Sequence, residues 1–226
     1  MHVYRGRFVS VRSVRSDPYE NAPRLPPAET AARVELASVV RGAWFEIEIG
    51  PGPKAGFLIE RAMAVPQAAL LGLEIRKKWA TAGDEHLAKA GHAARARVLC
   101  EDARLALGRL GPDHCVRRAF VLFPDPWWKK RHHKRLLMGE VFLNEMARLL
   151  EPGGELFVQT DVDERRAQYE HLVLAHGAFE PAGDQPCSPV LLDNPYHARS
   201  PREHRAIADG LPVYRLRFRR LNLPPT

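Results

Sequence analysis

The sequence predicts an α/β fold with a doubly wound, mostly parallel sheet and one late antiparallel strand. Three observations lead to this prediction. Short apolar runs alternate with stretches of helical composition between residues 44 and 176. A glycine-rich turn directly follows the first apolar run. Near the C-terminus, residues 213–218 alternate apolar and basic side chains, which is typical of an antiparallel strand with one exposed face.

The elements follow in a regular order. Apolar runs predict parallel strands at residues 44–49, 69–75, 97–100, 119–123 and 156–159. Helices are predicted at residues 57–63, 77–90, 103–110, 136–150 and 164–176. Pro152-Gly153-Gly154 is expected to end the fourth helix, and Gly177 the last one. Because strands that alternate with helices pair in parallel, we expect a single domain over residues 29–226.

Residues 1–28 differ from the rest of the chain. They contain five arginines and four prolines, with no apolar periodicity. Such a segment is not expected to bury a face, so the sequence predicts a basic, proline-rich and mobile N-terminal arm. Contact with an anionic partner and a simply solvated tail both fit this composition.

Composition limits the class of protein. The net charge of +7 and the pI of about 9.6 favour an anionic partner without identifying it. Three scattered cysteines argue against a disulfide framework or a zinc site and fit a reducing compartment. The N-terminus lacks the apolar core of a signal peptide, and no window approaches the roughly 18 apolar residues of a membrane span. We therefore expect a cytoplasmic protein with neither a membrane nor a metal as partner.

Acidic residues and glycines meet at one edge of the predicted sheet. Gly50 and Gly52 follow the first strand, where backbone can approach a cofactor closely, although any tight turn also uses such glycines. Glu74 ends the second strand at about the offset at which an acid binds a ribose hydroxyl. With Glu48 and Asp102 it would suit a nucleoside bearing a cationic tail and would repel a pyrophosphate. This pattern favours S-adenosylmethionine over NAD.

A rigid turn follows the fourth strand. Two prolines fix the backbone on either side of Asp125, just before Trp127. The carboxylate could accept N–H bonds from a base edge while the indole packs on a flat ring. An ordinary proline-rich turn with its tryptophans in the core is the alternative. Asp161, at the end of the fifth strand, is either a substrate contact or the cap of the next helix.

A dense cationic run adjoins this turn. Lys129, Lys130, Arg131, Lys134 and Arg135 occur with no acid between them and could hold a phosphate backbone. His132 and His133 are adjacent, which is poor geometry for binding one metal ion. They are interpreted as RNA contacts or as solvated residues. Substrate chemistry and nucleic-acid binding are thus predicted in one short loop.

Four motifs together resemble one known family. They are E-I-G-x-G at residues 48–52, G-L-E at 72–74, F-P-D-P-W-W-K-K-R-H-H-K-R at 123–135 and Thr160-Asp161. The pattern resembles the bacterial tRNA (guanine-N7-)-methyltransferases, and the likeness runs from about residue 44 to residue 220. The segment at 123–135 is its most specific part, because many methyltransferases share the glycine loop.

The resemblance implies a Rossmann-like class I methyltransferase fold. It also implies S-adenosylmethionine as methyl donor and methylation at N7 of a guanosine in the tRNA variable loop, at position 46 of the tRNA. Carried over by position, the cofactor contacts are Glu48, Gly50, Gly52, Glu74, Asp102 and Asp125, and Asp125 is also the catalytic residue. The substrate contacts are Lys129, Asp161, Ser200 and Glu203. The RNA-interaction segment is Lys130, Arg131, His132, His133, Lys134 and Arg135.

The sequence departs from the family pattern in two places. The loop at residues 53–56 has one inserted residue and a lysine where a glycine is expected. The C-terminal T-x-x-E motif reads Ser200-Pro201-Arg202-Glu203. Alternatives are a nicotinamide-dependent oxidoreductase, a methyltransferase acting on an exocyclic amine or on another RNA position, and an inactive RNA-binding relative. The oxidoreductase would need a dinucleotide glycine pattern and a proton relay, and the sequence offers neither.

The cationic run generates a direct prediction. Each phosphate neutralised by Lys or Arg releases counterions, so the affinity for tRNA should fall steeply with salt. Replacing Lys130, Arg131 and Lys134 by Ala should reduce the slope of log K against log salt by roughly 0.7 to 0.9 for each phosphate that is no longer neutralised. Affinity for S-adenosylmethionine should barely change. Filter binding over a salt series measures the slope, and an unchanged slope would mean that the run binds no phosphate.

Overall fold

The computed structural model describes residues 17–125 and 137–222. In these residues the strands are Val34–Glu35 (β1), Trp44–Ile49 (β2), Ala68–Glu74 (β3), Ala96–Cys100 (β4), Leu110–Gly111 (β5), Val116–Leu122 (β6), Leu150–Thr160 (β7), Phe179–Pro181 (β8), Val190–Leu191 (β9) and Tyr214–Arg220 (β10). The helices are Leu36–Val39 (α1), Gly56–Ala64 (α2), Lys77–Lys89 (α3), Ala103–Ala106 (α4), Glu140–Leu149 (α5), Asp163–Ala175 (α6) and Pro201–Ala208 (α7). None of these described helices is long and apolar enough to cross a lipid bilayer.

The main sheet has the strand order β4-β3-β2-β6-β7-β10-β8, and β9 pairs with β10. Strands β4, β3, β2, β6 and β7 are parallel, whereas β10 is antiparallel to β7. The predicted doubly wound, mostly parallel sheet with a late antiparallel strand is confirmed. The chain runs outward from β2 to β4 and then returns to β6 on the other side of β2. Open α/β sheets form their ligand crevice where the strand order reverses, here between the carboxyl ends of β2 and β6.

Helices cover both faces of the sheet. Successive strand residues point to opposite faces, so the strands contribute side chains to two separate cores. One core contains Ile47, Val121 and Val158 of the sheet, with Phe142 and Met146 of α5. The other core is rich in aromatic residues, which are Phe57 from α2, Phe120 from β6, Phe157 from β7 and Tyr196 from the segment before α7. The rings of Phe57 and Phe120 lie 4.7 Å apart. Burial on both faces explains the nearly continuous apolar run of β3, which reads AALLGLE.

Two predicted helix ends are wrong. Helix α5 ends at Leu149, and Pro152-Gly153-Gly154 lies inside β7. Leu150 already pairs with Val116 of β6, so strand pairing rather than the Pro-Gly-Gly sequence ends the helix. The predicted helix at 103–110 is also too long. Helix α4 stops at Ala106 and a 3-10 turn follows, because Leu110 pairs with Val34 in a separate two-stranded sheet.

Residues 17–28, the described part of the predicted arm, contact the body of the protein. Ala22 and Leu25 are buried. The N–H of Cys100 donates to the carbonyl of Pro23 at 2.6 Å, and Arg24 donates to the carbonyl of Cys100 at 2.9 Å. This part of the segment thus buries apolar side chains at the end of β4, which its composition did not indicate. Residues 1–16 lie outside the described residues, so for them the mobile arm stays a prediction.

A buried ion-pair network joins the centre of the sheet to the chain before α7. Arg61 of α2 donates two hydrogen bonds to Glu46, at 2.7 and 2.8 Å, and a third to the carbonyl of Tyr196 at 2.6 Å. Arg118 bridges Glu46 and Glu155, and the hydroxyl of Tyr196 donates to Glu155. Burial alone would raise the pKa of Glu46, but the bonds and charge of Arg61 outweigh it and lower that pKa.

We expect Glu46→Ala to lower the free energy of unfolding by about 3–5 kcal/mol. The substitution leaves Arg61 as a buried charge without its carboxylate partner. Urea unfolding followed by circular dichroism measures the change. The matched control is Glu85→Ala, which breaks an exposed pair with Lys89 and should cost about 0.5 kcal/mol or less. Equal effects of the two substitutions would contradict the structural role of the network.

Candidate active site

The glycine turn after β2 has the conformation that its sequence suggests. Gly50 and Gly52 adopt positive φ angles of 74° and 70°, which residues with a Cβ rarely adopt. The inserted residue is accommodated at the start of α2, where Ala55 itself takes a left-handed conformation with φ of 45°. Gly56 then packs directly on α7, since a Cβ there would lie 2.7 Å from Cγ of Pro201. The insertion therefore leaves the Gly50–Gly52 turn intact.

Glu48 is a buried carboxylate close to this turn. Its Oε2 atom has no hydrogen-bond partner among the described residues. Burial, reinforced by the nearby charge of Glu74, raises the pKa of Glu48 to about 8. An unpaired buried carboxylate is costly, so the site as described is suited to receive a cation or a hydrogen-bond donor.

Glu74 and Asp125 lie on the same side of the site. Glu74 accepts hydrogen bonds from the N–H groups of Gly52 at 3.2 Å and Arg76 at 2.9 Å. Burial raises the pKa of Glu74; the two backbone donors oppose this, and the charge of Asp125 adds to it. That electrostatic effect places Asp125, which follows β6, near Glu74, which ends β3. Of the carboxylates that the sequence predicts at this edge, Glu74 is thus close enough to both Glu48 and Asp125 to interact with them electrostatically.

Asp102 is engaged locally. It caps α4 by accepting a hydrogen bond from the N–H of Arg104 at 3.1 Å, and it pairs with the guanidinium of Arg104 at 2.5 Å. The hydrogen bond from Arg104 lowers the pKa of this carboxyl, so Asp102 is ionised at neutral pH. A cofactor contact for Asp102 stays a prediction.

A cavity of about 590 Å³ opens at this edge of the sheet, within the size range of small-ligand sites. Five of the predicted site residues line it, namely Glu48, Gly50, Gly52, Asp161 and Ser200. It is also lined by residues that sequence reasoning missed, among them Trp79, Phe123, Arg202 and Arg205. The described residues contain no group of three or more His, Cys, Asp or Glu side chains arranged to hold a metal ion.

Helix α7 forms one wall of the cavity. Ser200 caps it by accepting a hydrogen bond from the N–H of Glu203 at 3.1 Å. Glu203 is fully buried, and its carboxylate accepts from Arg215 at 2.8 and 3.0 Å and from Asn194 at 2.9 Å. These bonds anchor α7 to β10. Substrate contacts by Ser200 and Glu203 stay predictions, and the observed bonds give Glu203 a role in positioning the helix.

Asp161 pairs with α7 rather than capping α6. Its carboxylate accepts a hydrogen bond from Arg202 at 2.6 Å. Val162 holds the N-cap position of α6 without a side-chain cap, so the capping interpretation of Asp161 is wrong. The guanidinium of Arg202 also lies 5.6 Å from the ring centre of Phe123, within the range of a cation–π contact. Asp161, Arg202 and Phe123 thus form one group at the cavity wall.

Phe123 has an unusual backbone. Its φ angle is 50°, a left-handed value that is strained for a bulky side chain. A hydrogen bond of 2.9 Å from its N–H to the carbonyl of Gln159 on β7 holds it there. The side-chain amide of Gln159 is itself buried without a partner among the described residues. Nothing in the Phe-Pro dipeptide indicated this strain.

The remaining predicted residues lie outside the described ranges. Lys129, with the RNA-interaction residues Lys130, Arg131, His132, His133, Lys134 and Arg135, lies in the stretch from 126 to 136. Of the predicted residues, the structure brings Glu48, Gly50, Gly52, Asp161 and Ser200 to one cavity, whereas Asp102 does not line it. The structure does not describe the predicted cationic loop.

Glu48 should make stability depend on pH. Its folded-state pKa of about 8 exceeds its ordinary value of 4.5, so folding favours the protonated form. This contribution is complete below about pH 4.5 and is lost as pH rises through about 8. In Glu48→Gln it should be absent. The unfolding free energy of the wild type relative to this variant should fall by up to about 1.4 kcal/mol per pH unit within that window.

Urea unfolding of both proteins at pH 5, 6, 7 and 8, without cofactor, measures this difference. Glu85→Gln is the control, because the side chain of Glu85 is 61% exposed and its substitution should shift all four points alike. A wild-type curve parallel to that of Glu48→Gln would contradict an unpaired buried carboxylate.

Comparison with known proteins assigns the fold and the family. The chain matches a family model described as "Putative methyltransferase" over residues 43–216. Among solved structures it is similar to the 16S rRNA methyltransferase KamB, with a TM-score of 0.56 and 16% identity over 82% of this chain and 91% of that one. It is also similar to a 16S rRNA (adenine(1408)-N(1))-methyltransferase from Catenulisporales acidiphilia that contains the cosubstrate SAM. There the TM-score is 0.53, with 15% identity over 89% of this chain and 95% of that chain. These likenesses confirm a class I methyltransferase fold.

Relatives of known activity are more similar in sequence. The tRNA (guanine-N(7)-)-methyltransferase of Myxococcus xanthus is 33% identical over 76% of this chain and 82% of its own length. The enzyme of the same name from Thermosynechococcus vestitus is 32% identical, over 73% and 75% respectively. The oxidoreductase alternative is therefore wrong. The chain belongs to the tRNA (guanine-N(7)-)-methyltransferase family, as the resemblance predicted.

Proposed function

We propose that this protein transfers a methyl group from S-adenosylmethionine to N7 of a guanosine in the variable loop of tRNA. Membership of the family supports the reaction. The observation that carries the proposal in the structure is the position of Glu48. Its Oε2 atom has no partner in the part of the chain that the structure describes, and Glu48 lines a cavity that is also lined by the Gly50–Gly52 turn, Phe123 and Asp161. Cofactor and base can thus occupy one continuous space.

The residues present fit S-adenosylmethionine. When bound, this cofactor supplies an activated methyl group on a positively charged sulfur atom. The Gly50–Gly52 turn would let the backbone approach it closely, and Glu48 would face its cationic part. Glu74, whose two carboxylate oxygens accept from the N–H groups of Gly52 and Arg76, would also accept hydrogen bonds from ribose hydroxyls. Gly50 and Gly52 keep their positive φ angles beside the altered loop at residues 53–56, which supports cofactor binding over an inactive relative.

The reaction requires neither a general acid nor a general base. Guanine N7 carries a free lone pair at neutral pH, so no proton has to be removed before the methyl group is transferred. The work of the protein is to hold the two reactants in line. Positive charge moves onto the purine during the reaction, and a fixed carboxylate beside the base would stabilise it. Asp125 follows β6 at the point where the strand order reverses and suits this role.

The remaining parts of the proposal concern RNA and location. We expect the segment from Lys130 to Arg135 to contact the phosphate backbone, since it adjoins Asp125 in the sequence. Lys129 and Asp161 would contact the target nucleotide. We also expect the protein to act in the cytoplasm, where its tRNA substrate is found.

A methylation assay tests the proposal. Transfer RNA is incubated with the protein and labelled S-adenosylmethionine, and borohydride reduction with aniline cleavage maps any N7-methylguanosine. We expect a single cleavage in the variable loop. Cleavage elsewhere would assign another target position, and label without cleavage would assign another atom. Absence of label with tRNA that lacks the modification would refute the activity.

Asp125→Asn tests the catalytic assignment within this assay. We expect a loss of at least about a hundredfold in kcat, because a carboxylate that stabilises transition-state charge becomes a neutral amide. Urea unfolding should show the same stability within about 0.5 kcal/mol, since Asp125 is exposed. Turnover close to that of the wild type would mean that Asp125 is not the catalytic residue.

A further inference from the structure

Asp161, Arg202 and Phe123 form a self-contained group on the cavity wall. The guanidinium of Arg202 donates to the Asp161 carboxylate at 2.6 Å and lies 5.6 Å from the ring centre of Phe123. The side chain of Arg202 is 61% exposed, so burial does not force it into this place. A planar, donor-rich group thus lies against an aromatic ring and a carboxylate.

The group that Arg202 presents has the same donor pattern as part of guanine. Guanine contains a guanidine unit: N1–H and the exocyclic amino group point N–H donors in one direction from a flat ring. A carboxylate can accept from both, as it does from an arginine fork. An aromatic ring can stack on the purine face. The partners that hold Arg202 are therefore partners that would also hold a guanine base.

We propose that Arg202 holds the place of the target guanine, in a subsite between the ring of Phe123 and the substrate contact already expected at Asp161, until the base displaces it. This inference rests on the proposed function, since it names how that site selects its base. Phe123 supplies the stacking surface and Asp161 accepts from the N1–H and amino edge. Adenine lacks that pair of donors and would not replace the guanidinium equally well. Arg202 is thus a positioning residue that keeps the subsite shaped and lowers the apparent affinity for guanine.

Two further observations support a replaceable contact. The ion pair and the cation–π contact are both made by an exposed arginine to a half-buried partner, and each such contact is weak, so a stacked and hydrogen-bonded base can compete with them. The backbone strain at Phe123 is kept by a hydrogen bond to Gln159 and orients the ring toward the cavity that it lines. Strain that persists at a cavity wall is typical of a functional site.

The test measures binding of free guanosine, which carries no phosphate and therefore reports on the subsite without the salt-dependent contribution of RNA. Equilibrium dialysis with labelled guanosine or adenosine is done in the presence of S-adenosylhomocysteine. We expect Arg202→Ala to bind guanosine roughly three- to tenfold more tightly than wild type, because the competing side chain is gone. Its affinity for adenosine should change less. Phe123→Leu keeps an apolar side chain but removes the ring, and should bind guanosine at least about fivefold more weakly.

A matched control separates this effect from a change in charge. Arg33→Ala removes another exposed arginine paired with an aspartate, Asp113, and should bind guanosine like wild type. Asp161→Asn in the Arg202→Ala background should abolish the preference for guanosine over adenosine. These results together would support the proposal.

Three outcomes overturn it: guanosine affinity that is unchanged or weaker in Arg202→Ala, an equal increase in Arg33→Ala, or no guanosine binding to any variant. Methyl transfer to tRNA is measured on the same preparations. Active enzyme without tighter guanosine binding in Arg202→Ala refutes the subsite and leaves the proposed function standing. If Arg202→Ala binds guanosine more tightly but the wild type transfers no methyl group to tRNA, the subsite is supported and the proposed function is refuted.

Discussion

The buried pair between Glu46 and Arg61 is the interaction on which the arrangement of the site depends. Glu46 lies on the central strand β2, and Arg61 lies on the helix that follows the glycine turn. The third hydrogen bond of Arg61 reaches the carbonyl of Tyr196, so the same guanidinium fixes the chain that leads into α7. One buried cation therefore links the helix after the glycine turn to the chain that leads into the α7 wall of the cavity. Because both charges are desolvated, the pair tolerates little displacement.

Around the Glu46–Arg61 pair, charged side chains within the sheet differ in their pairing from those at its carboxyl edge. Within the sheet, charges of opposite sign balance one another where Arg118 of β6 pairs with both Glu46 of β2 and Glu155 of β7. At the carboxyl edge the balance reverses, since Glu48 has an oxygen without a partner among the described residues and Glu74 is held by backbone N–H groups. A protein of net charge +7 thus gathers acidic side chains where a cationic cofactor would bind, and a bound cation would favour the ionised form of Glu48, whose pKa is otherwise about 8. Its overall charge suits an RNA partner, and its local charge suits the methyl donor.

Several secondary-structure elements and two of the site carboxylates could be predicted from the sequence, because each is marked by a short stretch of neighbouring residues. Strand β2 was predicted to the residue, since its aromatic and β-branched residues end at the glycine turn that begins with Gly50. Helix α6 and its glycine stop were predicted within one residue, and Gly177 has the expected positive φ of 78°. Glu48 and Glu74 were found because the carboxyl ends of parallel strands meet at one edge.

The rest depends on contacts between distant parts of the chain. Helix α7 has only eight residues and begins at a proline, so periodicity gave no signal, although Ser200-Pro201 is a common helix start. Strands β1 and β5 have two residues each and exist only as partners of one another. Arg202 was visible within its motif, but its contact with Asp161 joins residues on α7 and after β7 that only the folded chain brings together.

The close approach of Gly56 and Pro201 also has an evolutionary consequence. The two residues are far apart in the sequence, yet the space between their helices is smaller than a methyl group. Any side chain gained at position 56 would need a smaller or displaced residue at position 201. Across related chains these two positions should therefore covary, and a change in the cofactor loop would be inherited together with a change in the wall that faces the base. The contact with Pro201 therefore limits which changes are possible where the loop at residues 53–56 meets α2.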